Sequence, residues 1–145
     1  MAWGIGPGDA VFTTPFTYVA TAEVIAILGA TPIFVDVYES TYNIDCEKLE
    51  VEINKVIKHG KLKPKAIIPV DLFGLPARYR VIDDIAKKYN LKIIEDAAQS
   101  FGGSIRDKKV GVFGDVAATS FYPAKPLGCY GCLLYTSDAA DDRYR

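Results

Sequence analysis

Apolar and polar residues follow two different rhythms along this chain. Short, continuous apolar runs have the length and composition of buried β-strands, and they cover residues 10–14, 31–37, 65–70 and 92–97. Between these runs, apolar residues recur at helical spacing and predict helices over residues 18–28, 45–60 and 78–90. A turn and one more strand, which ends near Ser120, are predicted after residue 108.

The alternation of strand and helix predicts an α/β fold. Continuous apolar strands are typical of a mostly parallel sheet that is flanked by helices in a three-layer α-β-α arrangement. Ligand sites in such sheets form just beyond the carboxyl ends of the strands. Four of the five segments that follow the predicted strands are rich in polar or aromatic residues. We therefore expect a functional site at this edge of the sheet.

Composition and charge narrow the classes of function. The 145 residues are 50% hydrophobic and 24% charged, with a formal net charge of −1, which is typical of a globular domain. Lys and Arg residues are scattered, so we expect neither a nucleic-acid partner nor binding to an anionic membrane. No apolar stretch is long enough to span a bilayer, and the first residues contain no recognisable secretory signal. The expected compartment is the cytoplasm.

Two short motifs suggest chemistry that the remaining sequence does not support. Cys129 and Cys132 have CxxC spacing, but a zinc site needs further ligands and the only histidine, His59, lies in a charged stretch. The sequence GIGPG at residues 4–8 lacks the spacing of a dinucleotide-binding loop and precedes a strand. We expect no metal site, and the glycine fingerprint that a Rossmann dehydrogenase requires is not found.

Asp96 and Lys125 are the most informative pair of candidate residues. Asp96 ends an apolar strand, where an ionised carboxylate needs either a structural hydrogen bond or a cationic ligand group. Lys125 lies among small and apolar residues and two prolines, where an amine is either simply exposed or serves as a nucleophile for aldehydes. A lysine that holds an aldehyde and a carboxylate that keeps a pyridine nitrogen protonated are what pyridoxal phosphate (PLP) chemistry requires.

Three more residues are of types that suit the same cofactor. The hydroxyl of Ser120 is suited to a phosphate group, or alternatively to the cap of a strand end. Tyr18 follows the first strand and is suited either to stacking on a pyridine ring or to core packing. Gln99, three residues after Asp96, is suited to a hydrogen bond with the phenolic oxygen of the cofactor.

Four segments of the sequence resemble the fold-type-I PLP-dependent aminotransferases that act on nucleotide-linked keto sugars, the DegT/DnrJ-like group. They occur in the order of that family and cover residues 4–37, 66–77, 93–103 and 120–131. The resemblance implies that Lys125 is the catalytic residue, which forms the Schiff base and moves the proton. It also implies that Asp96 pairs with the pyridinium nitrogen, Gln99 contacts the ring hydroxyl, Ser120 binds phosphate and Tyr18 stacks on the ring.

The same resemblance implies a reaction and partners. An amino acid, usually glutamate, gives its amino group to the cofactor, which passes it to a sugar ketone. The sequence AKPLGCYG at residues 124–131 is most similar to family members that make 3-amino sugars. The implied substrate is a UDP-2-acetamido-3-keto-hexuronate, used in amino-sugar and surface polysaccharide biosynthesis. The family works as homodimers.

The chain also departs from the family pattern. Family members are far longer, so we interpret residues 1–131 as a partial large, PLP-binding domain. Residues 132–145 depart abruptly from the pattern and resemble translated adapter sequence, so we expect this tail to be artefactual or disordered. We expect such a fragment to be an inefficient enzyme by itself. The alternative is a non-catalytic module that binds a nucleotide sugar or a full-length partner.

Overall fold

The fold is seen in a computed structural model, which describes residues 2–129 of the chain. The strands are β1 (Asp9–Thr13), β2 (Thr31–Phe34), β3 (Lys63–Ile68), β4 (Lys92–Asp96), β5 (Ser104–Ile105), β6 (Lys108–Lys109) and β7 (Val116–Ala118). The helices are α1 (Ala20–Ile27), α2 (Cys46–His59) and α3 (Tyr79–Tyr89), with a 3-10 turn at Leu72–Gly74. Within this range no helix is long and apolar enough to cross a bilayer.

Five strands form one parallel sheet in the order β2-β1-β3-β4-β7. The predicted α/β class with a mostly parallel sheet is therefore confirmed. All five carboxyl ends lie at the same edge, because the strands run in the same direction. This edge carries the segments that follow β1, β3, β4 and β7.

Alternate residues of the strands pack into two cores on opposite faces of the sheet. In β1, Phe12 belongs to the larger core together with Leu49 of α2 and Ile82 of α3. Its neighbour Val11 belongs to the smaller core together with Ile25 of α1. Helices therefore cover both faces, since successive side chains of a strand point to opposite sides. This is the predicted three-layer α-β-α arrangement.

The ends of α2 follow directly from its sequence. Asp45 is the N-cap, and its carboxylate accepts hydrogen bonds from the backbone N–H groups of Glu47 and Lys48. Gly60 adopts a left-handed conformation, with φ of 67°, and ends the helix. The exposed His59 is the last residue of this helix.

Four elements differ from the sequence prediction, and one of them, β3, begins and ends two residues earlier than predicted. The first helix begins at Ala20 instead of residue 18, so Tyr18 lies before the helix. The strand β2 ends at Phe34 instead of residue 37, because Val37 leaves the sheet and pairs with Ile44. A short hairpin of β5 and β6 was not predicted; its turn contains Arg106 at a φ of 53°, without the glycine that usually marks such turns.

Candidate functional site

A cavity of about 760 Å³ opens at the carboxyl edge of the sheet. The five residues that the sequence singled out all line it, and they are Tyr18, Asp96, Gln99, Ser120 and Lys125. The topology explains this meeting, because the segments after β1, β4 and β7 reach the same edge. Their placement around one cavity is a finding, whereas their individual roles stay predictions.

Asp96 sits at the end of β4 and takes part in two side-chain hydrogen bonds. Its Oδ2 accepts the hydroxyl of Thr21 at 2.8 Å, and its Oδ1 accepts the backbone N–H of Ala98 at 3.2 Å. Thr21 lies in α1 and its hydroxyl is also 2.9 Å from the hydroxyl of Thr17. The structural hydrogen bond that the sequence left open for Asp96 is thus present, and each carboxylate oxygen keeps capacity to accept another donor.

Lys125 lies in a compact loop after β7. Its backbone N–H donates to the carbonyl of Tyr122 at 2.8 Å, and the N–H of Cys129 donates to the carbonyl of Phe121 at 2.9 Å. The Lys125 side chain is half-buried and lines the cavity. Within residues 2–129 its ammonium group makes no hydrogen bond or ion pair, so the amine is available to a ligand.

Gln99 follows Asp96 by three residues, and its amide is held by the neighbouring loop. The backbone N–H of Phe73 donates to Oε1 of Gln99 at 2.8 Å. This donor identifies the oxygen end of the amide. The NH₂ group of Gln99 therefore remains as a hydrogen-bond donor for the cavity.

Asp71 connects the loops that carry Phe73 and Gln99. This fully buried carboxylate accepts hydrogen bonds from the backbone N–H of Ala77 at 2.9 Å, the hydroxyl of Tyr79 at 2.8 Å and the hydroxyl of Ser100 at 2.8 Å. Burial raises the pKa of Asp71 above its usual range, and these donors partly oppose the shift. Burial and the nearby Asp71 carboxylate likewise raise the pKa of Tyr79.

Glu95 in β4 anchors the segment between β6 and β7 to the sheet through hydrogen bonds. Its carboxylate is fully buried and accepts the backbone N–H groups of Gly111 at 2.6 Å and Phe113 at 3.1 Å. Because β7 leads directly to Ser120 and Lys125, this attachment helps to fix the position of the cavity wall.

Tyr18 differs from the core-packing alternative that the sequence left open, whereas the Ser120 hydroxyl makes one weak contact after the end of β7. Tyr18 does not pack in the core, since 73% of its surface is exposed beside the cavity. Ser120 is half-buried, and its hydroxyl oxygen accepts a long hydrogen bond of 3.4 Å from the N–H of Tyr122. Both side chains therefore face a space that a ligand can fill.

Sequence reasoning missed Thr17, Thr21 and Asp71. The two threonines are four residues apart at the start of a helix that follows a strand, which places them on one side of the helix entrance. Asp71 follows an apolar strand just as Asp96 does. The same test of charged residues at strand ends was therefore sufficient to find it.

The CxxC motif and the tail are only partly described. Cys129 is a free, half-buried thiol, whereas Cys132 and residues 132–145 lie outside the described residues. Between residues 2 and 129, no group of three or more His, Cys, Asp or Glu side chains is arranged to hold a metal ion. The GIGPG segment leads into β1 through a turn, in which the N–H of Asp9 donates to the carbonyl of Gly6 at 3.1 Å.

Comparison with known proteins supports the resemblance drawn from the sequence. Residues 1–143 match the profile of the DegT/DnrJ/EryC1/StrS aminotransferase family. A curated relative from Pseudomonas aeruginosa, a UDP-2-acetamido-2-deoxy-3-oxo-D-glucuronate aminotransferase, is 53% identical over 140 residues, which are 95% of this chain and 37% of the relative.

Two solved structures have the same fold. A DegT DnrJ EryC1 StrS aminotransferase from Brucella abortus has a TM-score of 0.89 and 61% identity, over 90% of this chain and 35% of that one. The S. venezuelae protein DesV, solved in complex with a ketimine intermediate, has a TM-score of 0.79 and 38% identity, over 88% of this chain and 33% of that one. The chain thus spans about a third of the length of these proteins.

Proposed function

Because this chain belongs to the DegT/DnrJ/EryC1/StrS aminotransferase family, we propose that residues 1–131 form part of the large domain of a PLP-dependent sugar aminotransferase. The observation that carries this proposal is the cavity that is lined by both the Asp96 carboxylate and the Lys125 side chain, whose amine has no partner among residues 2–129. The net reaction exchanges the amino group of an amino acid with the carbonyl oxygen of a keto sugar. The amino acid is oxidised and the sugar carbon is reduced, so no other oxidant or reductant is needed.

The residues around the cavity fit PLP by their chemistry. The cavity walls include Val24, Ile68 and Ile94, which suit a flat aromatic ring. Asp96 contributes an anionic group, and Gln99 contributes an amide donor. PLP, when bound, supplies an aldehyde that accepts the amino group and a ring that accepts electrons.

Each side chain has a distinct task in this proposal. Lys125 would hold the cofactor through its aldehyde carbon, with loss of water, and its amine would later accept and return the proton of the substrate carbon. Asp96 keeps a proton on the ring nitrogen, because an ionised carboxylate stabilises the adjacent pyridinium. The NH₂ group of Gln99 would donate a hydrogen bond to the ring oxygen. Ser120 donates to the phosphate, and the exposed ring of Tyr18 covers one face of the cofactor.

The substrate follows from the relatives. A UDP-linked 2-acetamido-3-keto-hexuronate is the proposed acceptor, since the relative from Pseudomonas aeruginosa is named for a sugar of this kind. Glutamate is the proposed amino donor. The proposed setting is amino-sugar and surface polysaccharide biosynthesis, with a homodimer as the working form of the whole enzyme.

The alternative is a module that binds a nucleotide sugar without catalysis. Its chemistry needs no aldehyde-binding lysine, so the position of Lys125 on the cavity wall favours the aminotransferase. A titration with PLP and, separately, with a UDP-linked sugar distinguishes the two. The aminotransferase proposal expects stoichiometric PLP binding that Lys125→Ala abolishes, while the exposed-lysine control Lys65→Ala binds as the parent does. Tight binding of the UDP-sugar with no binding of PLP would favour the binding module.

The position of the ketone is tested separately. In a single turnover with glutamate and PLP, we expect mass spectrometry to detect the 3-amino product from the UDP-linked 3-keto uronate. The matching 4-keto sugar is the control and should yield less product. Equal yields, or a larger yield from the 4-keto sugar, would reject the proposed substrate.

A further inference from the structure

Two threonines connect the start of α1 to the carboxylate at the end of β4. The Thr21 hydroxyl lies 2.8 Å from Oδ2 of Asp96 and 2.9 Å from the hydroxyl of Thr17. Thr21 is buried, Thr17 is half-buried, and both line the cavity. The three side chains therefore form a continuous chain of hydrogen bonds along one wall of the cavity.

The donor and the acceptor of each hydrogen bond in this series follow from the number of protons that each group carries. A threonine hydroxyl carries one proton, and an ionised carboxylate carries none. The Thr21 hydroxyl therefore donates a hydrogen bond to Asp96, and the Thr17 hydroxyl must donate one to the Thr21 oxygen. Each donor polarises the next bond, which strengthens the bond that finally reaches the carboxylate.

The same series of hydrogen bonds also holds the segment that contains Tyr18. Thr17 and Thr21 flank this residue in sequence, and the backbone N–H of Thr21 donates to the carbonyl of Tyr18 at 3.1 Å. Ala98 meanwhile occupies one acceptor direction of Oδ1 through its N–H. Asp96 is thus held on both oxygens and can turn only by breaking a hydrogen bond.

We propose that Thr21, supported by Thr17, is a positioning residue that stabilises and orients the Asp96 carboxylate toward the ring nitrogen of the cofactor. This inference rests on the proposed function, because it needs a pyridine ring in the cavity. Thr21 acts through Asp96 and touches no reacting atom. Its contribution therefore depends on whether the ligand offers a ring nitrogen to Asp96.

The experiment compares binding of PLP with binding of its 1-deaza analogue, in which a carbon atom replaces the ring nitrogen. Thr21→Val keeps the shape of the side chain and removes the donor, so PLP should bind about tenfold more weakly. Thr21→Ser keeps the hydroxyl and should bind PLP within about twofold of the parent. The parent, Thr21→Val and Thr21→Ser should all bind the analogue with the same affinity, since the analogue has no ring nitrogen with which Asp96 can pair.

Two further variants keep the test decisive. Thr17→Val leaves the direct donor in place and should weaken PLP binding about threefold, in the same nitrogen-dependent manner. Thr13→Val is the control, because the buried Thr13 donates to the carbonyl of Ile68 at 2.9 Å and does not line the cavity. It should leave the affinities for PLP and the analogue unchanged. Thermal unfolding establishes that each variant is folded.

The outcomes separate the two levels of the proposal. The parent should bind PLP more tightly than the analogue. If Thr21→Val and Thr17→Val show the same preference for PLP as the parent, the inference about the threonines is overturned and the proposed function stands. Equal loss of affinity for PLP and the analogue in Thr21→Val overturns it as well, because the role would then be structural. If the parent binds PLP no better than the analogue, the assigned role of Asp96 is wrong, and the inference falls with it.

Discussion

The backbone N–H of Phe73 donates a hydrogen bond of 2.8 Å to Oε1 of Gln99, although the two residues are 26 positions apart in the sequence. The bond joins the loop after β3 to the loop after β4 at the edge of the cavity. It fixes which end of the Gln99 amide remains for a ligand. The position of one side chain in the candidate site thus depends on the backbone of another loop.

Gln99→Glu tests this orientation. The new carboxylate can still accept the N–H of Phe73, but it removes the NH₂ donor and brings a negative charge toward the ring oxygen of PLP. We expect PLP affinity to fall at least about tenfold, with little change in the melting temperature. Gln99→Leu, which loses both groups, is the comparison. A Gln99→Glu variant that binds PLP as the parent does would contradict the assigned contact.

Gly128→Ala tests the shape of the lysine loop. A Cβ atom at Gly128 would overlap the carbonyl oxygen of Pro123, so the loop around Lys125 must shift. We expect weaker PLP binding than in the control Gly6→Ala, where the nearest atom to the added Cβ lies 3.6 Å away. A titration followed by absorbance measures both. Equal affinity in the two variants would indicate that the position of Lys125 tolerates this shift.

Asp71 gives the stability of the protein a specific pH dependence. Burial raises the folded-state pKa of this carboxyl above its usual value of 3.8. The folded state therefore binds more protons than the unfolded state above this value, and the free energy of unfolding should fall as pH rises from there to the raised pKa. The steepest slope from this single group is about 1.4 kcal/mol per pH unit.

Asp71→Asn removes the titrating group and should remove this part of the slope. Urea unfolding between about pH 4 and about pH 7 measures it for the parent and the variant. The exposed Asp107→Asn is the control and should retain the slope of the parent. The account of Asp71 fails if the difference in stability between Asp71→Asn and the parent is the same at every pH.

Glu95→Gln tests how firmly the β7 segment is attached. A glutamine has one acceptor oxygen, so its NH₂ group would face either the N–H of Gly111 or that of Phe113. We expect the free energy of unfolding to fall by about 1–3 kcal/mol, as for an unsatisfied buried group. The exposed Glu39→Gln should change it little. Equal stability of the two variants would show that Glu95 has no such role.

Hydrophobic patterning predicted most of the fold, because the strands and helices that build the core carry buried apolar residues at regular spacing. Helices α2 and α3 occur within two residues of their predicted bounds, since their apolar faces and their ends are visible in the sequence. The hairpin of β5 and β6 was missed because two-residue strands bury almost nothing and leave no periodic pattern.

The candidate site could be predicted at positions where a charged residue stands among apolar neighbours in the sequence. Asp96 is a charge at the end of an apolar strand, and Lys125 is a cation among apolar residues. Thr21 was not predictable in this way, because a threonine in a helix is ordinary and its contact with Asp96 spans 75 positions. Only the folding of α1 over the sheet, where it packs on β1 and β2, brings Thr21 to the carboxylate at the end of β4.

Mapping the lysine that PLP modifies tests the central claim most directly. The chain is incubated with PLP and reduced with borohydride, and its peptides are identified by mass spectrometry. We expect one pyridoxyl group per chain, on the peptide that contains Lys125, with only minor labelling of exposed lysines such as Lys61 and Lys65. Labelling spread over the surface lysines, with no preference for Lys125, would contradict the assignment of this cavity to PLP.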